Sequence, residues 1–289
     1  MSEKPSYLNS NLISKFIEDA LKEDIGPGDY STLASIDEST KGDASLIIKE
    51  EGVLAGVEVM KEVFNIVDSS LDLNIYKQDG EIVNPGDIGF SVFGSASSIL
   101  SSERLVLNIM QRMSGIATKT ARMNSLIKGT GTKLLDTRKT TPNFRAFEKW
   151  AVKIGGGQNH RFALYDMIML KDNHNDFAGG ITKAVEKTKN YLSKNGLDLR
   201  IEVETRTLEE VREALASEVD IILLDNMSID QLREAVLVVA KKCLTEASGG
   251  INENSVLEVA KTGVDYISVG ALTHSYKSLD MSLKARLDK

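Results

Sequence analysis

The segment IGGGQNHR, residues 154–161, joins three consecutive glycines to an adjacent His160 and Arg161. A glycine-rich loop allows a phosphate to approach the backbone N–H groups, because glycine has no side chain in the way. A histidine beside an arginine suits an acidic ligand or proton transfer. The segment alone leaves both interpretations open.

Polar residues also recur at alternate positions of several short apolar segments. These segments occupy residues 134–138, 167–172, 200–205, 220–226, 243–250 and 266–270. Successive side chains of a β-strand point to opposite faces. One face carries, near the segment ends, Arg138, Lys171, Glu204, Asp225, Ser248 and Gly270. The other face is mostly Ile, Leu and Val. Because unpaired charges are costly to bury, the polar face predicts an active-site mouth with charges of both signs.

An alternative explanation for the polar face is a set of internal ion pairs that fills the core. This alternative fits Arg200, Glu202 and Glu246 better, because they lie further from the ends of their segments.

The elements that would hold these residues repeat from about residue 117 onward. Apolar strands alternate with amphipathic segments such as 228–242 and 252–263, which predicts parallel strands joined by right-handed crossovers. The strands end in charged residues, Ser or Gly, as in a (β/α) barrel whose chemistry lies at the carboxyl ends of its strands. A doubly wound open sheet is the alternative, although no G-x-G-x-x-G motif follows the first strand.

The preceding residues show another pattern. Apolar residues at helical spacing predict helices over 11–24 and 99–116, the second capped by Ser101 or Ser102. Alternating segments between them predict β-strands. One of these segments, 79–94, resembles the hairpins of biotinyl and lipoyl carrier domains but lacks their acceptor lysine, so we interpret it as scaffold.

The composition argues against several classes of protein. A formal net charge of −7 disfavours a general nucleic-acid binder. No apolar run is long enough to span a bilayer, and the polar first ten residues lack the apolar core of a secretory signal. The single cysteine, Cys243, excludes an internal disulfide, so we expect a cytoplasmic protein.

A basic island interrupts this acidic chain between Lys133 and Lys171, where eight Lys and Arg accompany three Asp and Glu. Such an island predicts a site for a small anion. The alternative is a solvated basic helix face, because Arg145, Lys149 and Lys153 follow one another at four-residue spacing.

Several motifs together resemble the quinolinate phosphoribosyltransferase family. In chain order they are EDIGPGDYST, SERLVLNIMQRMSGIAT, DTRKTTPNFRAFEKWAVKIGGGQNHR, LYDMIMLKDNH, IEVET, LLDN, EASGGI and VGALTHS. The resemblance runs in order from near Ser10 to the C-terminus.

This resemblance implies the α/β fold of a type II phosphoribosyltransferase. An N-terminal α+β domain would cover residues 1–116 and be joined by a C-terminal helix at 277–289. An incomplete (β/α) barrel over residues 117–276 would carry the chemistry. The family assembles as dimers or hexamers, so we expect a homo-oligomer with a shared active site.

The resemblance also implies a reaction between two small molecules. Quinolinate would be joined to 5-phosphoribosyl-1-pyrophosphate (PRPP) with Mg²⁺ as cofactor. The products would be nicotinate mononucleotide, pyrophosphate and carbon dioxide. Neither nucleic acid nor a membrane is expected as a partner.

Quinolinate is a dianion, and arginine binds carboxylates bidentately. The family pattern assigns quinolinate contacts to Arg104, Arg138, His160, Arg161 and Lys171. In the family, the position of Arg104 reaches into the barrel of the neighbouring subunit. The glycines of 154–161 are then expected to form a tight turn that directs His160 and Arg161 into the mouth.

The resemblance assigns the remaining polar residues to PRPP. Lys139 and Lys171 would bind the pyrophosphate as compact cations. Glu204 and Asp225 would bind ribose hydroxyls and Mg²⁺ and stabilise positive charge at the anomeric carbon. These four are the predicted catalytic residues. The ribose 5-phosphate is expected at the loops after the last two strands, where barrels bind phosphate, on Ser248, Gly249, Gly250 and Gly270.

A few positions depart from the family pattern without removing a charged residue. Asn143-Phe144 stands where Gly-Leu is more common, Gln158 precedes Asn-His-Arg, and Trp150 replaces another aromatic residue. Such changes concern fine specificity rather than the reaction class.

Other functions remain as alternatives. The acceptor could be nicotinate, or the chain could belong with the molybdenum-associated paralogues, but one carboxylate would not call for so many cations. A non-catalytic phosphosugar-binding barrel is disfavoured by Glu204 and Asp225. A carrier scaffold is disfavoured by the missing acceptor lysine.

Overall fold

The computed structural model describes residues 4–285. Contacts between Cα atoms divide the chain into two compact units. The first unit comprises residues up to Ala121, Thr140–Gly156 and the residues from Ser275, and the second comprises Arg122–Lys139 and Gly157–His274. This division differs from the predicted barrel range of 117–276, because residues 140–156 pack with the first unit. The basic island between Lys133 and Lys171 is therefore split between the two units.

Helices and strands alternate irregularly up to Leu126 and more regularly beyond it. In chain order up to Leu126 they are α1 (Ser10–Ile25), α2 (Tyr30–Ser35), β1 (Lys41–Ile48), β2 (Gly52–Val53), α3 (Val57–Val67), β3 (Asp72–Ile75), β4 (Ile82–Val83), β5 (Ile88–Ser95) and α4 (Ala96–Leu126). Beyond Leu126 they are β6 (Lys133–Leu135), α5 (Arg145–Ile154), β7 (Ile168–Leu170), α6 (Asp172–Ala178), α7 (Ile181–Asn195), β8 (Ile201–Thr205), α8 (Leu208–Ala216), β9 (Ile221–Asp225), α9 (Ile229–Val239), β10 (Leu244–Ser248), α10 (Val256–Ala260), β11 (Tyr266–Ser268), α11 (Ala271–His274) and β12 (Met281–Ala285).

The helix predicted over 11–24 is confirmed as α1. The Asn9 side chain accepts the N–H of Leu12 and caps the helix, while Ile13 and Ile17 bury its apolar face. The first unit also contains an antiparallel sheet in the order β12-β1-β5-β3 and a two-stranded sheet of β2 and β4.

The predicted C-terminal helix at 277–289 is wrong over the described residues. Met281–Ala285 forms β12, which pairs antiparallel with β1 and sets Leu283 opposite Leu46. Met281 and Leu283 are buried and Ser282 between them is less so, which is the period of two of a strand. The last part of the predicted helix, 286–289, lies outside the described residues.

Helix α4 is longer than the predicted 99–116, and its predicted caps are wrong. The helix begins at Ala96, so Ser101 and Ser102 lie inside it. The Ser102 hydroxyl donates to the carbonyl of Ser98, one turn earlier, at 2.7 Å. A serine inside a helix satisfies its hydroxyl in this way, which explains why its presence did not mark the helix start.

The second unit contains the predicted incomplete (β/α) barrel. Its six parallel strands lie in the order β6-β11-β10-β9-β8-β7. Each strand from β7 onward neighbours its successor, and the first strand, β6, pairs with the last, β11. This is the order of a barrel that is open between its first two strands. A doubly wound sheet would reverse its order at a switch point, so that alternative is excluded.

Two sequence interpretations of basic residues are corrected. Arg200 is exposed, so it does not belong to a set of internal ion pairs that fills the core of the barrel. Lys149 on α5 is fully buried, so α5 does not present a solvated basic face along Arg145, Lys149 and Lys153. The four-residue spacing identified a helix face correctly, but it does not show whether the face meets solvent or protein.

Candidate active site

A cavity of about 890 Å³ lies at the carboxyl ends of the barrel strands, within the second unit. The predicted site residues that line it are Arg138, Lys139, His160, Arg161, Lys171, Glu204, Asp225, Ser248, Gly249, Gly250 and Gly270. Arg104 is the predicted residue outside this unit: it is exposed on α4 of the first unit. The volume is in the range of small-molecule sites.

The cations of the cavity include two neighbouring guanidinium groups. Burial lowers the pKa of Arg161, and the nearby charge of Arg138 lowers it further, although arginine remains charged in proteins. The Nη1 atom of Arg161 donates to the carbonyl of Met167 at 3.1 Å, which fixes the guanidinium. Two guanidinium groups that line one cavity repel each other, and an anion with two carboxylates would relieve that repulsion.

The anions of the cavity lie on adjacent strands. Glu204 is in β8 and Asp225 ends β9. Burial and the charge of Asp225 raise the pKa of Glu204, against the opposing effect of Lys171. Asn226, which sequence analysis missed, adopts a left-handed φ of 53° and donates through Nδ2 to Oδ2 of Asp225 at 2.6 Å.

The glycines of the cavity are those after β10 and before α11. Gly249 has φ of 99°, and a Cβ at this position would collide with Oδ1 of Asn226. A Cβ on Gly270 would lie 2.9 Å from Cδ of Lys139 and 3.1 Å from Nε2 of His274. His274 has no signal of its own in the sequence, because it lines the cavity only once the fold brings it beside Lys139.

The glycines of 154–161 have a different role. A Cβ on Gly155 would collide with the carbonyl of Ala117 on α4, and Gly156 has a left-handed φ of 86°. Gly155 therefore permits close packing on a helix, and Gly156 permits a turn. The glycines that line the cavity are Gly249, Gly250 and Gly270. This agrees with the expected tight turn rather than with a phosphate cradle.

The residues after these glycines extend the free edge of β6. The N–H of Gln158 donates to the carbonyl of Leu134 at 2.8 Å, and its carbonyl accepts the N–H of Asp136 at 3.1 Å. These bonds use the backbone and leave the Gln158 side chain exposed. The departure from the family pattern at this position is thus tolerated, and the next residues are carried to the cavity.

Another departure also has a local explanation. Asn143 has φ of 62°, a left-handed conformation in which glycine is most favoured and asparagine is next best. Phe144 is buried and its ring lies 5.5 Å from the ring of Phe16 and 5.1 Å from that of Phe147. The Asn-Phe pair therefore keeps the turn and fills the first unit's core.

His160 lies in a buried acidic cluster at the cavity wall. Its Nε2 is 3.0 Å from Oε2 of Glu202 and 3.4 Å from Oε2 of Glu246. Burial alone would lower the pKa of His160, but the two carboxylates outweigh it and raise the pKa. Burial and the charge of Glu246 also raise the pKa of Glu202, against the effect of His160.

The contact made by Nδ1 of His160 shows where the protons of this cluster lie. The N–H of Arg161 donates to Nδ1 of His160 at 2.7 Å, so Nδ1 is an acceptor and carries no proton. Because Nδ1 accepts, the extra proton that the raised pKa values retain in this cluster lies between the carboxylates of Glu202 and Glu246, and the imidazole keeps a single proton on Nε2. The alternative of internal ion pairs is thus correct in part: Glu202 and Glu246 are buried in the barrel, but they contact His160 at the cavity wall.

The sequence is similar to one family over most of its length. The family model described as quinolinate phosphoribosyl transferase, C-terminal domain, matches residues 116–284, and the corresponding N-terminal domain model matches residues 29–114.

Individual relatives share this similarity. The chain is 45% identical over 281 residues to the chloroplastic nicotinate-nucleotide pyrophosphorylase (carboxylating) of Oryza sativa subsp. japonica, covering 92% of this chain and 75% of the relative. It is 41% identical over 280 residues to the "Probable nicotinate-nucleotide pyrophosphorylase (carboxylating)" of Bacillus subtilis (strain 168), covering 97% and 96%. The crystal structure of NadC from Streptococcus pyogenes superposes with a TM-score of 0.92 at 41% identity, covering 97% of this chain and 99% of that one.

Proposed function

This chain belongs to the quinolinate phosphoribosyltransferase family, and on that premise we propose that it transfers the phosphoribosyl group of PRPP to quinolinate with loss of carbon dioxide. The observation that carries the proposal is a single cavity with paired guanidinium groups, two carboxylates and glycine loops at the strand ends. These groups match, in turn, a dicarboxylate, a ribose and a phosphate.

The dicarboxylate of quinolinate is bound by Arg138 and Arg161, with Lys171 beside them. The support is that both guanidinium groups line the same cavity and that Arg161 is oriented by its bond to the carbonyl of Met167. His160 stays a predicted quinolinate contact at the wall of the same cavity, where its side chain is 7% exposed.

PRPP occupies the rest of the cavity. Lys139 and Lys171 bind the pyrophosphate, and Glu204 and Asp225 bind the ribose hydroxyls. The ribose 5-phosphate is bound at Ser248, Gly249, Gly250 and Gly270. The support for this placement is that all four residues line the cavity, and that nothing lies within 4 Å of a Cβ built on Gly250, so a ligand can approach the backbone there.

Glu204 and Asp225 also suit Mg²⁺. Two half-buried carboxylates on adjacent strands, close to a site for phosphates, match the donor set that this cation prefers. Bound there, Mg²⁺ would neutralise the charge of the pyrophosphate.

The chemistry needs no covalent enzyme intermediate. The pyridine nitrogen forms a bond to the anomeric carbon as the bond to pyrophosphate breaks, and pyrophosphate leaves with the electron pair. Glu204 and Asp225 stabilise the positive charge that develops on the ribose. The pyridinium then accepts the electron pair from the bond between ring C2 and its carboxylate, carbon dioxide leaves, and C2 takes up a proton. Positioning supplies most of the rate.

Two copies share each site, with Arg104 of one copy reaching the cavity of the other. The support is that Arg104 is exposed and that the barrel edge beside Arg161 is apolar and uncovered. A second cavity there, of about 480 Å³, is lined by Arg161, Leu164 and Tyr191 among others. Leu164 and Tyr191 are 67% and 59% exposed, and Phe177 on α6 is 91% exposed.

A cytoplasmic location is part of the proposal. Its support is the single cysteine, since cysteine-poor chains suit a reducing compartment. Within residues 4–285, no helix has the length and apolar character to cross a membrane. Fractionation of cells that express a tagged chain would test the location.

The activity is tested with purified protein, PRPP, Mg²⁺ and either quinolinate or nicotinate. Quinolinate labelled at its 2-carboxylate is expected to give nicotinate mononucleotide and labelled carbon dioxide in equal amounts. Nicotinate is expected to give no product. Product from nicotinate alone would contradict the proposal and favour the alternative acceptor.

A further inference from the structure

Three buried carboxylates converge on the short segment 159–161. Asp136, Glu202 and Glu246 are 0%, 0% and 1% exposed. Asp136 accepts the N–H of His160 at 2.9 Å and the side-chain amide of Asn159 at 2.6 Å. The two glutamates face Nε2 of the same histidine.

This concentration of acid is unexpected behind a site for a dianion. Buried carboxylates are costly, and an apolar layer would fill a barrel at less cost. The neighbouring strand shows that apolar residues fit this layer, because Leu223 of β9 lies in register with Glu246 of β10. The glutamates are therefore retained for what they bind rather than for the volume that they fill.

The two glutamates contact His160, and His160 contacts Arg161, the proposed quinolinate ligand. Nε2 of His160 faces Glu202 and Glu246, while Nδ1 accepts the N–H of Arg161. The imidazole thus connects two carboxylates on β8 and β10 to the backbone of Arg161, whose guanidinium is fixed on the carbonyl of Met167.

We propose that Glu202 and Glu246 are positioning residues for the quinolinate site. They hold the His160 ring in the tautomer with the proton on Nε2, so that Nδ1 anchors the N–H of Arg161 and fixes the direction of its side chain. The inference rests on the proposed function, because it takes Arg161 to be a quinolinate ligand.

Kinetics of Glu202→Leu and Glu246→Leu test the proposal. Each is expected to raise the KM for quinolinate roughly tenfold, as losses of supporting residues behind a ligand do. The KM for PRPP should rise much less, because the two glutamates contact His160 rather than a proposed PRPP ligand. Glu246→Gln keeps the volume and an acceptor oxygen, so it should recover most of the quinolinate affinity.

A matched control comes from the same strand. Thr245→Val changes the buried neighbour of Glu246 on the opposite face of β10, so it should lower the melting temperature without raising either KM. Equal increases in both KM values for the Leu variants would indicate a general disturbance of the barrel and overturn the proposal.

A coupling experiment separates this inference from the proposed function. In an Arg161→Ala background, Glu246→Leu should add little to the KM for quinolinate, because the glutamate acts through Arg161. Full additivity would overturn the positioning role alone. An unchanged KM in Arg161→Ala itself would instead overturn the proposed quinolinate clamp.

The tautomer can be read in the unaltered protein, so the test does not depend on a variant that folds. In ¹⁵N-histidine-labelled protein, the ring signals of His160 can be assigned by their loss in His160→Gln. A proton on Nε2 and an unprotonated Nδ1 are expected, with the Glu202→Gln, Glu246→Gln double variant shifting this signature. A proton on Nδ1 in the unaltered protein would overturn the proposal.

Discussion

At the scale of single residues, Gly249 gives the most specific prediction about PRPP. Its φ of 99° is strained for any other residue, and a Cβ would collide with Oδ1 of Asn226. Asn226 in turn donates to Asp225, so Gly249→Ala should displace both the proposed phosphate loop and a proposed ribose ligand. We expect the KM for PRPP to rise roughly tenfold or more, equivalent to about 1.4 kcal/mol, in steady-state assays.

Gly196→Ala is the matched control for this prediction. Gly196 ends α7 with a left-handed φ of 62°, but nothing lies within 4 Å of the position of its Cβ. Its replacement should cost about 1 kcal/mol of stability through backbone strain and leave both KM values unchanged. Equal KM values for the two variants would show that Gly249 is only a turn.

At the scale of elements, Asp265 joins the amino ends of β10 and β11. Its Oδ2 accepts the N–H and the hydroxyl of Thr245 at 2.9 and 2.8 Å, and its Oδ1 lies 2.8 Å from Nζ of Lys241. Burial would raise the pKa of Asp265, but Lys241 and Thr245 outweigh it and lower the pKa below its ordinary value of 3.8.

Asp265→Asn should therefore destabilise the barrel in a pH-dependent way. A lowered folded-state pKa means that the ionised carboxylate stabilises the fold above pH 3.8, and that this contribution is lost as the pH falls through the folded-state value. At pH 7 we expect a loss of about 1–2 kcal/mol in urea unfolding, shrinking below pH 3.8. Activity should persist, because the residue lies at the end of the strands opposite the cavity. A difference that is constant with pH would contradict the ionic contribution.

The barrel strands were predictable from the sequence, whereas the C-terminal strand β12 and the backbone bridge at Gln158 were not. Period-two alternation and polar strand ends were sufficient to find all six barrel strands and the face that lines the cavity, because both signals are local. The C-terminal strand was missed because a helix was expected there, although Met281 and Leu283 alternate. The backbone bridge from Gln158 to β6 had no local signal, since a pairing between distant residues depends on the fold rather than on side-chain type.

The same limit applied to the acids behind the site. Glu202 and Glu246 had the pattern of buried strand residues, and the sequence placed them correctly inside the barrel. Their shared contact with His160 requires β8, β10 and the segment after the glycines to meet, which no spacing along one segment reveals. The strand ends were predictable because parallel strands always bring their carboxyl ends together.

At the scale of the whole molecule, the uncovered apolar edge beside Arg161 and the exposed Arg104 lead to a test of the shared site. If each cavity takes Arg104 from the other copy, then Arg104→Ala and Arg161→Ala should each lose most of their activity alone when quinolinate is kept near the KM of the unaltered protein. Mixed dimers would contain one site with both arginines and one site with neither. Random reassortment gives about half mixed dimers, so the mixture should recover about a quarter of unaltered activity.

Two differently tagged chains make this measurement decisive, because mixed dimers can be purified and counted. Arg161→Ala combined with Lys171→Ala is the control: both residues lie in the second unit, so every site in that mixture lacks one of them and no activity should return. Purified mixed dimers of Arg104→Ala and Arg161→Ala that stay inactive would contradict the shared site. Full activity of Arg104→Ala alone would also contradict the shared site. In that case the cavity of the second unit would need no residue from another copy.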